Sequence, residues 1–160
     1  MTLKTVLALA AAFVLAPLAA HAADYVIMGD DDRAIGLVEA AVKTDSEGHK
    51  ETVFFIAFAK PIEGAGGGQV VSSTILFDCA GKRYKVGAAT TFTADMTALA
   101  SGDGHFGWRD LVDGSPFSRA AGYACRGEVL PKASGLELKA IIADYLARQP
   151  PPSASAPAAE

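Results

Sequence analysis

The two cysteines are the residues with the most distinctive chemistry in this chain. Cys79 ends the apolar run in LFDCAGKRY, Cys125 lies in AAGYACRG, and the sequence has no other cysteine. A structural zinc site needs four ligands, and neither cysteine has a histidine beside it to help complete one. A C-x-x-C redox motif is also absent. A structural disulfide and a pair of buried thiols remain, and the choice between them depends on the compartment in which the protein folds.

The N-terminus has the organisation of a secretory signal peptide. Lys4 precedes an apolar run from Val6 to Ala20, and the small-residue pattern A-H-A ends at Ala22. The alternative is a retained membrane anchor, but the run is shorter than the roughly 20 apolar residues that a spanning helix needs. We therefore expect residues 1–22 to be removed on export to the periplasm, the cell surface or the medium, and we expect no membrane span.

Export predicts that the two cysteines are joined, because oxidising compartments form and keep disulfides. A Cys79–Cys125 bond would close a loop of 46 positions. Restricting the unfolded chain in this way contributes roughly 3 to 4 kcal/mol. A typical domain is stabilised by only about 5 to 15 kcal/mol in total, so the predicted bond is a main determinant of stability.

The mature chain is small and acidic. About 138 of the 160 residues remain after cleavage, enough for one domain with a single core. Lys4 is the only charged residue removed, so the net charge changes from −4 to about −5. This charge gives no reason to expect nucleic acid as a partner. We expect one domain over residues 23–148 and a disordered tail over 149–160, where the sequence QPPPSASAPAAE has little to bury.

Few residues of the mature chain could perform nucleophilic catalysis. Its histidines are His49, in the polar segment SEGHK, and His105, in GDGHFGW. Ser115 in DGSPF could be combined with His105 and Asp113, but a G-x-S-x-G elbow is absent. A serine in this context is more typical of a turn or a helix cap. We therefore predict a protein that is not an enzyme and has no catalytic residue, metal or cofactor.

Two further segments have the composition of binding loops but not their full patterns. GAGGGQVVSST lacks the G-K-[ST] ending of a phosphate loop and continues into a strand-like run. GDDDR has three consecutive carboxylates without the alternating ligands and central glycine of a calcium loop. We interpret the first as a hairpin loop and the second as a solvated turn, with weak cation binding as the alternative for the second.

A cationic stretch follows Cys79 directly. On a strand, Arg83 and Lys85 would share one face while Tyr84 points to the other, and Lys82 would lie in the preceding turn. Such a basic patch on an acidic protein could bind an anionic surface of a partner protein. The alternative is that these charges protect an edge strand from aggregation.

The elements that must position these residues are antiparallel strands followed by one helix. The predicted strands are YVIM, AIGLVEAAV, ETVFFIAFAK, QVVSSTILFDC and RYKVGAATTFTA. In ETVFFIAFAK both sets of alternate residues are apolar, which indicates a strand covered on both faces. The segment from residue 96 to 117, which carries Trp108, is predicted to be irregular.

The C-terminal helix is predicted from its apolar stripe. Leu138, Ile141, Ile142 and Tyr145 recur at helical spacing, and S-x-x-E over residues 134–137 resembles a capping box. A stripe of this kind must be buried, most simply against the sheet. The expected fold class is therefore α+β: an antiparallel meander of about five to six strands with a C-terminal helix packed on it and one disulfide.

These motifs together resemble the surface-adhesin protein E family of exported bacterial proteins. The resemblance extends over roughly residues 24 to 126 and rests on FDCAGKRY, on WRDLVDGSPF and on AAGYAC. The matching positions are Asp78, Cys79, Arg83, Tyr84, Trp108, Gly114, Ser115 and Cys125. The resemblance implies an antiparallel sheet with a packed helix and, for pathogen members, attachment to host extracellular-matrix and serum proteins. The chain departs from the lipid-anchored form because no lipobox cysteine lies near the predicted cleavage site.

Two functions follow as expectations. The first is an exported, non-enzymatic binding protein that contacts other proteins through Lys82, Arg83 and Lys85. The alternative is a periplasmic protein that holds a small apolar ligand between sheet and helix, near Phe77, Trp108 and Tyr145. The sequence does not determine the oligomeric state.

Overall fold

The computed structural model describes residues 23–104 and 106–150. The expected signal peptide and most of the expected tail lie outside these ranges. The elements are β1 (Tyr25–Asp30), β2 (Ala34–Glu39), β3 (Lys43–Thr44), β4 (Lys50–Phe58), β5 (Val70–Asp78), β6 (Arg83–Phe92), β7 (Ala98–Gly102), β8 (Arg109–Asp110), α1 (Pro116–Arg126), β9 (Lys132–Ala133) and α2 (Leu138–Ala147).

Within the described residues, nine strands form one antiparallel sheet. Its main order is β7-β6-β5-β4-β2-β1-β9, with β3 paired to β4 and β8 paired to β6. The α+β meander with a C-terminal helix and a disulfide is therefore confirmed. The expected number of five to six strands is too low. The sequence did not predict β3, β7, β8 and β9. Strands β3, β8 and β9 have only two residues each, which is too short to produce a hydrophobic period.

The central strand β4 is covered on both faces, as its sequence predicts. Phe55 and Ala57 contribute to one buried cluster, and Phe54 contributes to the other, on the opposite face of the sheet. Adjacent residues of β1 and of β2 divide between the two clusters in the same way. The sheet is thus the middle layer of three, with one helix packed on each face.

Helix α2 closes the first face with large apolar side chains. Ile142 and Tyr145 are fully buried, and Ile141 is nearly so. The Tyr145 hydroxyl donates to the carbonyl of Asp31 at 3.1 Å, and Arg148 pairs with Asp30 at 3.2 Å. The GDDDR segment is therefore the β1–β2 turn, and it holds the end of α2 against the sheet.

The start of α2 differs from the sequence prediction. Glu137 is the N-cap, and no side-chain hydrogen bond caps the helix, so the predicted capping box is wrong. The reason is that β9 pairs with β1 immediately upstream and keeps the chain extended. Gly135, at φ +69°, then donates its N–H to Asp24, so the chain must turn before the helix begins.

Helix α1 was not predicted, and it covers the second face of the sheet. Its buried residues include Ala120 and Ala121 rather than a stripe of large side chains, so the sequence has little helical periodicity there. Ser115 is the N-cap, and its Oγ accepts the N–H of Ser118 at 3.1 Å. The interpretation of Ser115 as a helix cap is confirmed.

The predicted disulfide joins the end of β5 to α1. The Cα atoms of Cys79 and Cys125 are 5.7 Å apart, and Cys79 is solvent-exposed while Cys125 is half-buried. A bond of this kind fits folding in an oxidising compartment. Among the described residues, neither helix has the length and apolar composition required to cross a bilayer.

Candidate functional site

The cationic stretch is divided between two surfaces. Tyr84 stacks on Phe117 of α1 with ring centroids 4.5 Å apart, so it points to the α1 face. Arg83 and Lys85 alternate with it and lie on the opposite face, as predicted. Lys82 occupies the β5–β6 turn at φ +52° and does not join them.

Lys82 instead lines a cavity of about 390 Å³ beside the disulfide. The other lining residues are Cys79, Leu111, Asp113, Ser118, Ala121, Cys125 and Arg126. Arg126 is already paired with Glu128, which reduces the positive charge available there. The basic surface on β6 consequently consists of Arg83 and Lys85.

Arg83 is held in place by contacts on two sides. Its guanidinium donates to Asp78 at 2.6 Å and lies 5.5 Å from the centre of the Trp108 ring. The hydrogen bond from Arg83, together with the N–H of Gly81, lowers the pKa of Asp78. Trp108 also contacts the ring of His49, at 4.9 Å between centroids. We call His49, Asp78, Arg83 and Trp108 the Trp108 cluster.

Strand β6 is paired only in part on the side away from β5. Arg83 pairs with Asp110 of β8 and Tyr84 pairs with Arg109, while the far end of β6 pairs with β7. On its other side β6 pairs with β5 along its whole length. The edge-strand explanation therefore does not fit Arg83, but it stays a prediction for Lys85, which lies in the stretch of β6 between β8 and β7 that no described strand pairs on this side.

The structure describes two of the three residues considered for catalysis, Ser115 and Asp113. Ser115 caps α1, and Asp113 lies at the disulfide cavity. His105 lies outside the described residues, so the geometry of a Ser115–His105–Asp113 assembly is not defined. His49 lies in the turn between β3 and β4, as its polar context indicates.

The three residues expected around a small apolar ligand are not brought together. Phe77 belongs to the cluster under α1 and Tyr145 to the cluster under α2, and both are fully buried. Trp108 lies at the end of the sheet beside His49. One pocket cannot contain all three side chains, because the sheet separates the first two.

The structure also assembles a group of ligand-type atoms that the sequence reasoning missed. Asp45, Glu47 and His49 form a cluster whose ligand atoms all lie within 4.8 Å of one another. Burial opposes ionisation of Asp45, but hydrogen bonds from His49 and Glu47 outweigh that effect and lower the pKa of Asp45. The only available signal was the spacing D-x-E-x-H, which falls in a turn and so follows no regular period.

Comparison with family models finds no match to this sequence, and no curated protein or solved structure matches the chain. The resemblance to the surface-adhesin protein E family stays a prediction from the motifs.

Proposed function

We propose that the protein is an exported, non-enzymatic binding protein. In this proposal Arg83 and Lys85, beside Trp108, contact an anionic surface on a partner protein. The observation that carries the proposal is the exposed Arg83 guanidinium, which Asp78 and Trp108 hold in place on the same face as Lys85. Arg83 lies where β6 is paired on both sides, so its charge is not needed to protect an edge and a binding role explains it better.

The Trp108 cluster has properties that favour protein recognition. Tryptophan and arginine are over-represented among the residues that dominate binding energy at interfaces. The Arg83 side chain is 45% exposed although it is paired with Asp78. Asp78 and Trp108 restrict the guanidinium before binding, which lowers the entropy cost of ordering it in a complex. Lys85 adds a second cation on the same face.

Two parts of the proposal, export and the class of partner, are supported mainly by the sequence. The leader pattern predicts secretion, and the disulfide is what an oxidising compartment would preserve. The motif resemblance implies extracellular-matrix and serum proteins as partners. We infer that acidic surfaces of such proteins are the targets, because opposite charges across an interface promote encounter and register.

A binding comparison of matched variants tests the proposal. Mature protein is measured by surface plasmon resonance against purified extracellular-matrix and serum proteins, beside Arg83→Gln/Lys85→Gln. The control Lys60→Gln/Lys139→Gln removes the same charge from exposed positions elsewhere. Glutamine is used because a glutamate at position 83 would face Asp78 and destabilise the strand pair.

We expect at least one partner to bind, and the affinity to fall about tenfold, or roughly 1.4 kcal/mol, in the β6 variant only. Binding should also weaken as salt is raised, because exposed charges are screened. Equal affinities for the wild type and the β6 variant would contradict the proposed surface. An absence of binding to every protein in the panel would contradict the proposed partner class.

A further inference from the structure

The loop between β3 and β4 brings two carboxylates to one imidazole nitrogen. His49 Nδ1 lies 3.0 Å from Asp45 Oδ2 and 3.4 Å from Glu47 Oε2. That nitrogen can share a single proton, so it can hydrogen-bond fully with only one of the two oxygens. The other carboxylate then adds a second negative charge beside the first, and like charges at this range repel. A divalent cation would satisfy all three groups at once.

The separations of the ligand atoms suit a small metal ion. Zinc binds imidazole nitrogen and carboxylate oxygen at about 2.0 to 2.2 Å, which places tetrahedral ligands about 3.3 to 3.6 Å apart. The two distances from His49 are already close to such an edge. The remaining separation, between the carboxylate oxygens of Asp45 and Glu47, is at most 4.8 Å. A modest movement of the Glu47 side chain would therefore complete the site.

The two ligands nearest each other are already oriented. Asp45 Oδ1 accepts the N–H groups of Glu47 and His49, both at 2.9 Å, which turns Oδ2 toward the imidazole. The left-handed Gly48, at φ +87°, allows the tight turn. Trp108 packs on the His49 ring. Hydrogen bonds to a ligating carboxylate and a fixed imidazole are typical supports of a metal site.

Access from solvent comes through Glu47. Its side chain is 76% exposed, whereas that of His49 is 18% exposed. The cluster therefore has two constrained ligands and one exposed ligand at the surface. Three protein ligands leave a fourth position free for water or for a ligand from another molecule.

We propose that Asp45, Glu47 and His49 bind a divalent transition-metal ion of the Zn²⁺ or Cu²⁺ type. One imidazole with two carboxylates suits these ions, while Ca²⁺ and Mg²⁺ favour oxygen ligands alone. The sequence prediction of a protein without a metal is revised by this proposal. The three proposed ligands lie in the loop between β3 and β4, and the tests of metal binding need no partner protein.

Trp108 provides a direct reporter, because it is the only tryptophan in the chain and contacts His49. Mature protein is freed of metal with a chelator and titrated with CuCl₂ at neutral pH while tryptophan emission is recorded. We expect saturable quenching with one equivalent of Cu²⁺. His49→Gln should weaken binding at least tenfold, and the matched variant His105→Gln, three residues from Trp108 in sequence, should leave it unchanged.

Calorimetric titration with ZnCl₂ gives a second readout that does not depend on tryptophan. Glu47→Gln alters an exposed side chain and leaves the Asp45 turn intact, so it should fold normally and still bind Zn²⁺ at least tenfold more weakly. One zinc per wild-type chain, with weakened binding in both the Glu47 and His49 variants, would support the site. Metal binding that is absent, unaffected by these variants, or lost in His105→Gln would overturn it.

Discussion

Helix α2 closes its face of the sheet with large, fully buried side chains, whereas α1 closes the opposite face with buried alanines, partly buried aromatic residues and a covalent bond. Ile142 and Tyr145 fill the space between α2 and the sheet. On the other face, Ala120 and Ala121 let α1 approach closely, and Cys125 ties the helix to the end of β5. Burial of apolar side chains stabilises the packing of α2. The packing of α1 depends more on the disulfide, which stabilises the fold by restricting the unfolded chain.

The largest effect is expected from removing the covalent bond. The Cys79→Ala/Cys125→Ala variant should lose about 4 kcal/mol of unfolding free energy, because the bond closes a loop of 46 positions in the unfolded chain. Urea titration measures this loss. Hydrogen exchange should show that amides of α1 open more than those of α2. A loss below about 1 kcal/mol, or equal opening of the two helices, would contradict the assigned role of the bond.

The next effect concerns the apolar contacts of α2. Ile142→Ala should cost about 3 kcal/mol, because it leaves a cavity at a fully buried position. The control Ala143→Ser changes the next, exposed residue and should stay within about 0.5 kcal/mol of the wild type. If the two variants had similar stabilities by urea titration, burial under α2 would not be what holds this helix.

A smaller effect on stability is expected at the helix N-termini, because α1 has a side-chain cap and α2 has none. Ser115→Ala removes the side-chain cap of α1 and should cost about 1 kcal/mol. Glu137→Ala alters the N-cap position of α2, where no side-chain hydrogen bond exists, so thermal unfolding should change little. A larger loss from Glu137→Ala than from Ser115→Ala would show that the two caps have been assigned the wrong roles.

The smallest effect is electrostatic and depends on pH. Arg83 and the Gly81 N–H lower the pKa of Asp78 below its ordinary value of 3.8. A carboxyl group with a lowered folded-state pKa contributes stability above its unfolded pKa, and this contribution disappears as the pH falls through the folded pKa. Asp78→Asn should therefore be slightly less stable than the wild type at pH 7, and the difference should shrink as the pH falls below 3.8 and vanish below the lowered pKa of Asp78 in the folded protein.

Unfolding midpoints of both proteins measured from pH 7 down to pH 2 would check this. A stability difference that persists unchanged at the acidic end would mean that packing, rather than the charge of Asp78, accounts for it. The size of the difference at pH 7 also measures how strongly the ion pair with Asp78 restrains Arg83.

The sequence predicts an element well where burial gives it a regular period. The alternation in β4 indicates two covered faces, and the stripe of α2 identifies its buried side, because large apolar residues mark both patterns. Helix α1 has no such pattern, since its fully buried residues are small and its larger contact residues, Phe117 and Tyr123, are only partly buried. The start of α2 was misplaced because β9 and the Asp24–Gly135 hydrogen bond constrain the chain from a distant position.

The candidate site was predictable only in part. The alternation of Arg83 and Lys85 follows from strand geometry, and the disulfide follows from export and cysteine count. The contact between His49 and Trp108 joins residues far apart in sequence, and local patterns do not encode such a contact. The fixed carboxylate of Asp45 depends on hydrogen bonds within a turn, which residue type alone does not specify.

The proposed binding surface is tested most directly by hydrogen exchange of the mature protein alone and in complex with a partner from the binding panel. Arg83 and Lys85 should contact the partner, so slower exchange is expected in peptides that cover β6 near these residues and Trp108. Exchange in α2 should be unchanged, because that helix lies over the other end of the same face. Protection confined to α2 or to the β1–β2 turn would contradict the assignment.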